Sequence, residues 1–313
     1  MTKNDTEIRS KLFKLIKTKK LTDPSTMVYV RNIIRLHTIS GTKISILKPT
    51  WLTLKLVKTV KENRQARHLF LAGVKLLQSL NKKSGKRWDL WYSNMINSSN
   101  AYKNTRSKAK LSDKEIQKIG NTTFNDFCVT VRKMIPPIRR VLKKTLDKVD
   151  LKDVLRIQEV VVLLFFCEIP LRNELANLKI KNVDKQQENH FQKNKGGYTL
   201  ILKDHKTKKS IGSRTHKISK SMARLLNKFI PMVSEVTKHD YLLTSSRGNR
   251  MTMNGLTKYL LKITKKHFGT SFSSQIIRIL FAKHNVKGLK DAITTQKLLG
   301  HSNLNTTLSY AKE

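Results

Sequence analysis

The apolar positions along this chain fall mostly in helical rhythm. Ile8, Leu12, Leu15 and Ile16 recur at spacings of three and four within a lysine-rich stretch. Asp23-Pro24 then opens a clear helix, a capping carboxylate followed by a proline whose fixed φ suits a first turn, and Val30, Ile33 and Ile34 continue on one face. A second helix is expected from near Thr50 to about Asn63. A third, from about Gln65 to Leu80, turns Leu69, Phe70, Val74, Leu76, Leu77 and Leu80 inward. Over residues 81–110 Lys, Ser, Asn and Gly dominate, with Trp88, Trp91 and Tyr92 among them. Aromatics grouped in this way are expected to pack at a domain junction rather than stack on bases. Ser112 with Glu115 forms a capping-box pair, so a second domain begins there, with the boundary near 105–112.

Beyond the boundary the pattern changes. Pro136-Pro137 must break or sharply kink a helix. Leu151 to Phe166 is the most apolar helix of the chain, and it runs into the charged run Glu168-Ile169-Pro170-Leu171-Arg172-Asn173-Glu174-Leu175. Strands are expected at 178–183, 198–203 and 216–218, with Gly196-Gly197 and a lysine-rich loop as their turns. After Met253 the pattern is helical to the end. The predicted fold is therefore mainly α with a small antiparallel β-sheet. Residues 1–21 read as a basic N-terminal arm, 22–110 as a helical domain with its linker, and 111–313 as an α+β domain.

Charge narrows the function. Lys and Arg number 64 against 21 Asp and Glu, a formal net charge of +43 spread over the whole chain, which implies a folded binder of polyanions. A lysine-favouring codon bias accounts for many of the lysines but not for so few acids. No run of about eighteen apolar residues occurs and no signal peptide opens the chain, so a soluble, intracellular protein without a membrane partner is expected. Cys128 and Cys167 lie in apolar helical surroundings and read as reduced core residues.

Asp and Glu are nowhere clustered at a spacing that would hold magnesium, so the sequence suggests neither a metal nor a cofactor. What it offers for phosphodiester chemistry is a covalent route. A hydroxyl attacks phosphorus, fixed cations neutralise the developing charge, and an acid protonates the departing sugar oxygen. Near the C-terminus, Leu298-Leu299-Gly300-His301 reads as a helix end capped by glycine, with His301 in the corner. Ser302 or Asn303 can cap the next helix, Leu304 and Leu308 hold it to a core, and Tyr310 rides it near the surface. Taken alone, this segment also fits a DNA-binding helix-turn-helix or a packing helix. Arg172 follows the most buried helix, where rigid structure could aim its planar fork at two phosphate oxygens; an ion pair with Glu168 or Glu174 is the alternative. Arg278 stands in a helix apolar around most of its circumference and needs an anionic partner or a route to solvent. Lys206 is by composition one hairpin lysine among several, with Lys203 and Lys208 as rivals.

The Leu-Gly-His turn and the tyrosine that follows it resemble the end of the catalytic domain of tyrosine recombinases, the phage integrase family. Pro170 to Leu175 is similar to that family's first-arginine box, particularly versions in mobile elements of large DNA viruses. The segment Ser273 to Phe281 resembles its second-arginine box, and Lys206-Thr207 its hairpin loop. The resemblance covers roughly residues 112–313 and is softer over 22–110, where a helical core-binding domain is expected. It implies Tyr310 as nucleophile, Arg172 and Arg278 as phosphate ligands, Lys206 as donor to the leaving 5′ oxygen and His301 as donor to a non-bridging oxygen. Two positions depart from it. Glu174 is two after its arginine where many relatives place an acid at three, and Gln275 stands where a histidine or lysine is common; its amide can donate a hydrogen bond but cannot carry charge.

What the resemblance implies is a site-specific recombinase or integrase of a virus or other mobile element. It would hold duplex DNA bearing specific sites between two domains, act as a homotetramer on paired sites, and join strands through a 3′-phosphotyrosyl link without metal or ATP. It would work where the DNA is: in the nucleus of a eukaryotic host, otherwise in the nucleoid, with packaging in a virion a further option. The alternatives are a type IB topoisomerase, a telomere resolvase, or a catalytically silent DNA-binding protein of the same fold. An RNA binder would account for the charge but not for the ordered Arg, Lys, Arg, His and Tyr.

Overall fold

The computed structural model describes residues 3–19, 21–107, 113–195 and 197–311. The chain divides into two compact units, Met1–Lys108 and Ala109–Glu313.

The first unit is helical: α1 (Lys3–Ile16), α2 (Asp23–Ser40), α3 (Leu54–Lys61), α4 (Ala66–Ser79) and α5 (Lys86–Ser107). The stretch expected to stand apart as a basic arm is α1, a full member of this core. Leu12 and Ile16 on its apolar stripe are completely buried, and that burial outweighs the repulsion among its lysines. Helix α2 begins one residue earlier than its sequence suggests. Thr22 is the cap, its hydroxyl accepting from the Ser25 amide, and Asp23 sits in the first turn where the helix dipole favours an anion. The supposed linker is also helical. Trp91 on α5 is fully buried against Phe70 and donates its indole N–H to the Leu52 carbonyl at 3.2 Å. Trp88 and Tyr92 stack on each other at 5.3 Å. Trp91 thus packs as expected, but in the first unit's own core and on a helix, not at a domain junction, while Tyr92 stays exposed.

The second unit opens with α6 (Asp113–Ile119); Ser112, the expected cap, lies outside the described residues. Next come α7 (Phe124–Lys133), then the short α8 (Ile135–Ile138), where the proline pair breaks the helix, and the central α9 (Leu151–Glu168). Capping boxes start α7 (Thr123 with Asp126) and α9 (Asp150 with Asp153). Inside α9 the fully buried Gln158 amide exchanges hydrogen bonds with both backbone groups of Thr244, at 3.0 and 2.8 Å, and so pins a distant loop to the core. Cys128 and Cys167 are free, and they meet sulfur to sulfur between α7 and α9.

A four-stranded sheet follows in the order β1 (Leu178–Lys179), β2 (Asn189–Asn194), β3 (Gly197–Leu202) and β4 (Arg214–Lys217). It is mixed where a purely antiparallel sheet was expected, because β1 runs parallel to β2. Only Leu178 and Lys179 of the expected first strand pair in the sheet; beyond them Ile180 donates to the Asp240 carbonyl instead. Strand β2 carries almost no apolar pattern. It is held by its ladder to β3 and by Asn189, whose side chain closes the turn after β3. Gly196, in the expected turn, lies outside the described residues. The short α10 (Lys208–Ile211) lies in the lysine-rich loop between β3 and β4, and then come α11 (Lys220–Val236), α12 (Met253–Phe268), α13 (Ser274–Asn285), α14 (Leu289–Leu299) and α15 (Leu304–Ala311). Helices α14 and α15 pack on α13, which brings the C-terminal corner beside the end of α9. Among the described residues no helix is long and apolar enough to cross a membrane.

Candidate active site

Arg278 organises the site. It is 1% exposed in the middle of α13, where an unsolvated cation is costly unless each donor finds an acceptor. Its Nη1 donates to the Pro170 carbonyl at 2.6 Å, and its Nη2 donates to the Leu299 carbonyl at 2.8 Å. One carbonyl lies just before Leu171-Arg172 and the other just before Gly300-His301. A single guanidinium therefore ties the first-arginine segment to the histidine corner. Burial, and then the Arg172 charge, push its pKa down to about 10, while Tyr310 and Glu174 act in the opposite sense.

His301 closes the same cluster. Its Nε2 lies 2.8 Å from Arg278 Nη2 and its Nδ1 3.0 Å from the buried Thr307 hydroxyl. A guanidinium only donates, so Nε2 accepts and the ring hydrogen resides on Nδ1, toward Thr307. Burial, followed by the charges of Arg278, Arg172 and Arg214, lowers the pKa to about 3, so the ring is neutral. This differs from the donor role that the resemblance implied. Donation from Nε2 to a phosphate oxygen requires Arg278 Nη2 to leave the ring for the phosphate and Nε2 to gain a proton.

Tyr310 lies on α15 with its ring edge-on to His301, centroids 4.9 Å apart, and within the field of Arg278. It is half-buried against the core of its own chain. Arg172 stands at the start of the turn after α9, with Nη1 buried and no hydrogen-bond partner among the described residues. Its alternative as an ion-pair partner of Glu168 is not what the fold uses: Glu168 accepts from the Ser219 amide at 3.2 Å and from the Ser219 hydroxyl. Glu174 is 3% exposed with Oε2 likewise unmatched, and its charge acts on Arg278 and Arg214. The acid two residues after Arg172 is therefore buried within electrostatic reach of the Arg278 and Arg214 guanidiniums.

Two expected residues lie outside this cluster. Gln275 is exposed one turn before Arg278, and its amide donates to Glu115 at 3.4 Å. Lys206 is exposed in the β3–β4 loop, and Lys203 and Lys208 share that loop. The loop itself reaches the site, because the Thr207 hydroxyl donates to the Gly300 carbonyl at 3.1 Å.

One residue of the site was not legible in the sequence. Arg214, on the inward face of β4, donates through Nη2 to the Leu298 carbonyl at 2.7 Å and to the Lys297 carbonyl at 3.4 Å. It thereby caps the C-terminal end of α14, where carbonyls lack helical partners and a cation is favoured. Burial lowers its pKa, with Glu174 opposing and Arg172 adding to the shift. Three guanidiniums, a neutral imidazole, a buried carboxylate and a phenol thus form one electrostatically linked cluster. Such fixed cations suit a phosphate on which negative charge develops. Among the described residues no group of three or more His, Cys, Asp or Glu side chains could hold a metal ion.

Comparison with known proteins identifies the family. Residues 141–313 match the phage integrase family. The tyrosine recombinase XerC of Staphylococcus saprophyticus is 37% identical over 91 residues, covering 29% of this chain and 30% of the relative. XerC of Staphylococcus carnosus is 32% identical over 140 residues, 44% of this chain and 43% of the relative. XerC of Staphylococcus aureus is 31% identical over 171 residues, 54% and 52% respectively, so the chain spans about half the length of these relatives or less. In fold, the chain is similar to the XerH site-specific recombinase in a post-cleavage complex with its difH substrate, with a TM-score of 0.57 and 19% identity over 96% of this chain and 80% of that one. It is also similar to the Tn1549 transposon integrase in complex with transposon right end DNA, with a TM-score of 0.50 and 14% identity over 98% and 94%. With the family matched over more than half its length, the chain belongs to the phage integrase family of tyrosine recombinases.

Proposed function

We propose that this protein is a site-specific DNA recombinase that cuts and rejoins strands through a 3′-phosphotyrosyl intermediate. The observation that carries the reading is the placement of Tyr310 against His301, in the field of Arg278, within a single chain. The Tyr310 Oη attacks phosphorus as the phenolic proton is lost to solvent, and the bond to the 5′ oxygen breaks. Arg172 and Arg278 take the non-bridging oxygens, with the unmatched Arg172 Nη1 as the donor most ready for a ligand. Lys206, exposed on its loop, gives its proton to the leaving oxygen. The new ester conserves the energy of the phosphodiester, so a 5′ hydroxyl from another strand can reverse the step. That is strand transfer, and it needs neither ATP nor hydrolysis.

The partner is duplex DNA carrying specific sites, and exchange between two of them calls for four protomers, hence a homotetramer on paired sites. The likeness to a transposon integrase supports an origin in a mobile element, viral or otherwise, acting wherever that element's DNA resides. A catalytically silent DNA-binding protein is the second reading, favoured by Gln275 facing Glu115. One experiment separates the two. A duplex selected by the purified protein from a random-sequence pool is nicked beside its centre, so that cleavage releases a short fragment and cannot be reversed. The recombinase reading requires a denaturant-resistant adduct that disappears in Tyr310→Phe. Binding without an adduct supports the silent reading.

A further inference from the structure

The loop that carries Lys206 has little regular structure, yet it is bound on both sides of that residue. Before it, the Lys203 and Asp204 amides both donate to Asn189 Oδ1 at 2.8 Å, and Asn189 Nδ2 donates back to the Asp204 carbonyl at 2.8 Å. Asn189 is buried, so this end of the loop rests on the sheet. His205 is buried as well. Its Nε2 donates to the Gly212 carbonyl at 2.8 Å, closing the loop across its base, and its Nδ1 lies 3.2 Å from the Thr207 hydroxyl. After Lys206, Thr207 donates to Gly300. Below it, Arg214 from the end of the same loop holds the Lys297 and Leu298 carbonyls.

Three acceptors at the end of α14, the Lys297, Leu298 and Gly300 carbonyls, are thus filled from one hairpin, while the Leu299 carbonyl between them accepts from Arg278. A Cβ on Gly300 would overlap the Arg214 guanidinium, so the corner can approach this closely only as glycine. The residue after that carbonyl is His301. We propose that Thr207 is a positioning residue: its hydroxyl, latched to the Gly300 carbonyl above the Arg214 clamp, fixes where the Lys206 ammonium stands relative to the His301 corner. A lysine has a long, freely rotating stem, and a loop free to drift would spread its ammonium over several ångströms. Anchors on residues 205 and 207 leave only that stem to be ordered when the phosphate arrives.

The inference rests on the reading of Lys206 as general acid, and its test separates the two. In the cleavage step the Tyr310 Oη–P bond forms, the P–O5′ bond breaks, the phenolic proton goes to solvent, and an ammonium proton of Lys206 goes to O5′. If sulfur replaces the bridging 5′ oxygen, the P–S bond breaks to a thiolate that needs no proton. Adduct formation is timed on the selected, nicked duplex in both forms, for the full chain and for Thr207→Val, Thr207→Ser and Lys206→Ala. Thr207→Val is expected to slow cleavage of the oxygen duplex by between about 10-fold and 10²-fold, the cost of misplacing a catalytic group by an ångström or less. It should cleave the sulfur duplex at close to the unsubstituted rate. Thr207→Ser keeps the hydroxyl and should match the unsubstituted chain on both. Lys206→Ala should show the same pattern with a larger loss, about 10²-fold or more, on oxygen. Equal losses on the two duplexes in Thr207→Val, or no loss on either, overturn the positioning role. Should Lys206→Ala gain nothing from sulfur, the general-acid reading fails first, whatever Thr207 does.

Discussion

Arg278 donates to His301 across 2.8 Å, and this contact fixes the electrostatic character of the site. A neutral imidazole that accepts from a guanidinium cannot also be the imidazolium of a general acid. In nitrogen NMR, His301 should show the Nδ1–H tautomer at neutral pH and remain neutral down to about pH 4, above its own pKa of about 3. Arg278→Gln removes the nearest positive charge and should move that titration upward, toward the ordinary histidine range. A His301 that titrates near 6.5 in the unsubstituted protein would contradict the arrangement.

The same burial makes stability depend on pH. His301 and His216 have pKa values held down to about 3 and about 4, by burial first and then by neighbouring charges that include Arg214. In the unfolded chain both take up protons below about 6.5. Between that value and about 4 the unfolded state therefore binds more protons than the folded one, so stability is complete above pH 6.5 and falls as the pH drops. Each histidine contributes at most about 1.4 kcal/mol per pH unit in that window. Urea unfolding at pH 7 and pH 5 checks the sign, and His216→Gln should reduce the dependence. Stability that is level or rising toward pH 5 would rule this out.

Gly300 faces two constraints, a left-handed φ of 63° and the Arg214 guanidinium against its α-carbon. Gly269 has a similar φ of 71° but open space around it. Gly269→Ala should thus cost only the backbone term, about 1 kcal/mol, and Gly300→Ala distinctly more, about 2 kcal/mol or above. Thermal unfolding of the two variants makes the comparison, and equal costs would mean that the Arg214 contact is not tight.

Trp91 tests the first unit. Fully buried, with Gly73 directly under its ring, it holds α5 to α4. Trp91→Ala should destabilise this unit by about 3–5 kcal/mol. Hydrogen exchange should show lost protection in α2, α4 and α5 with that of α9 and α13 unchanged. Uniform loss across both units would argue against independent cores.

Much of this was legible in the chain. The apolar rhythm locates α2, α4, α9 and the C-terminal helices, and the glycine and histidine of the corner mark the site in the sequence itself. What escaped has physical reasons. Strand β2 is polar along most of its length and exists through its ladder with β3 and the Asn189 clamp, neither of which leaves an apolar pattern. Arg214 looked like any other of the 64 basic residues, because its value lies in two carbonyls some eighty residues away in sequence. The lysines of α1 and the polar residues of 81–110 disguised helices whose few apolar positions are enough to bury them. Gln275 could be singled out by its position, but its direction depends on Glu115, which lies on a separate helix.

Cleavage by the proposed route bonds the Tyr310 oxygen to DNA, and the digest of a trapped adduct reads that bond directly. Trypsin cleaves after Lys297 and Lys312, releasing one peptide, residues 298–312, that contains Tyr310 as its only tyrosine. After nuclease trimming, mass spectrometry should find this peptide carrying a nucleoside 3′-phosphate on that side chain, with the unmodified peptide depleted to match. A nucleotide on any other peptide, or an intact 298–312 peptide beside a genuine covalent adduct, would contradict the account.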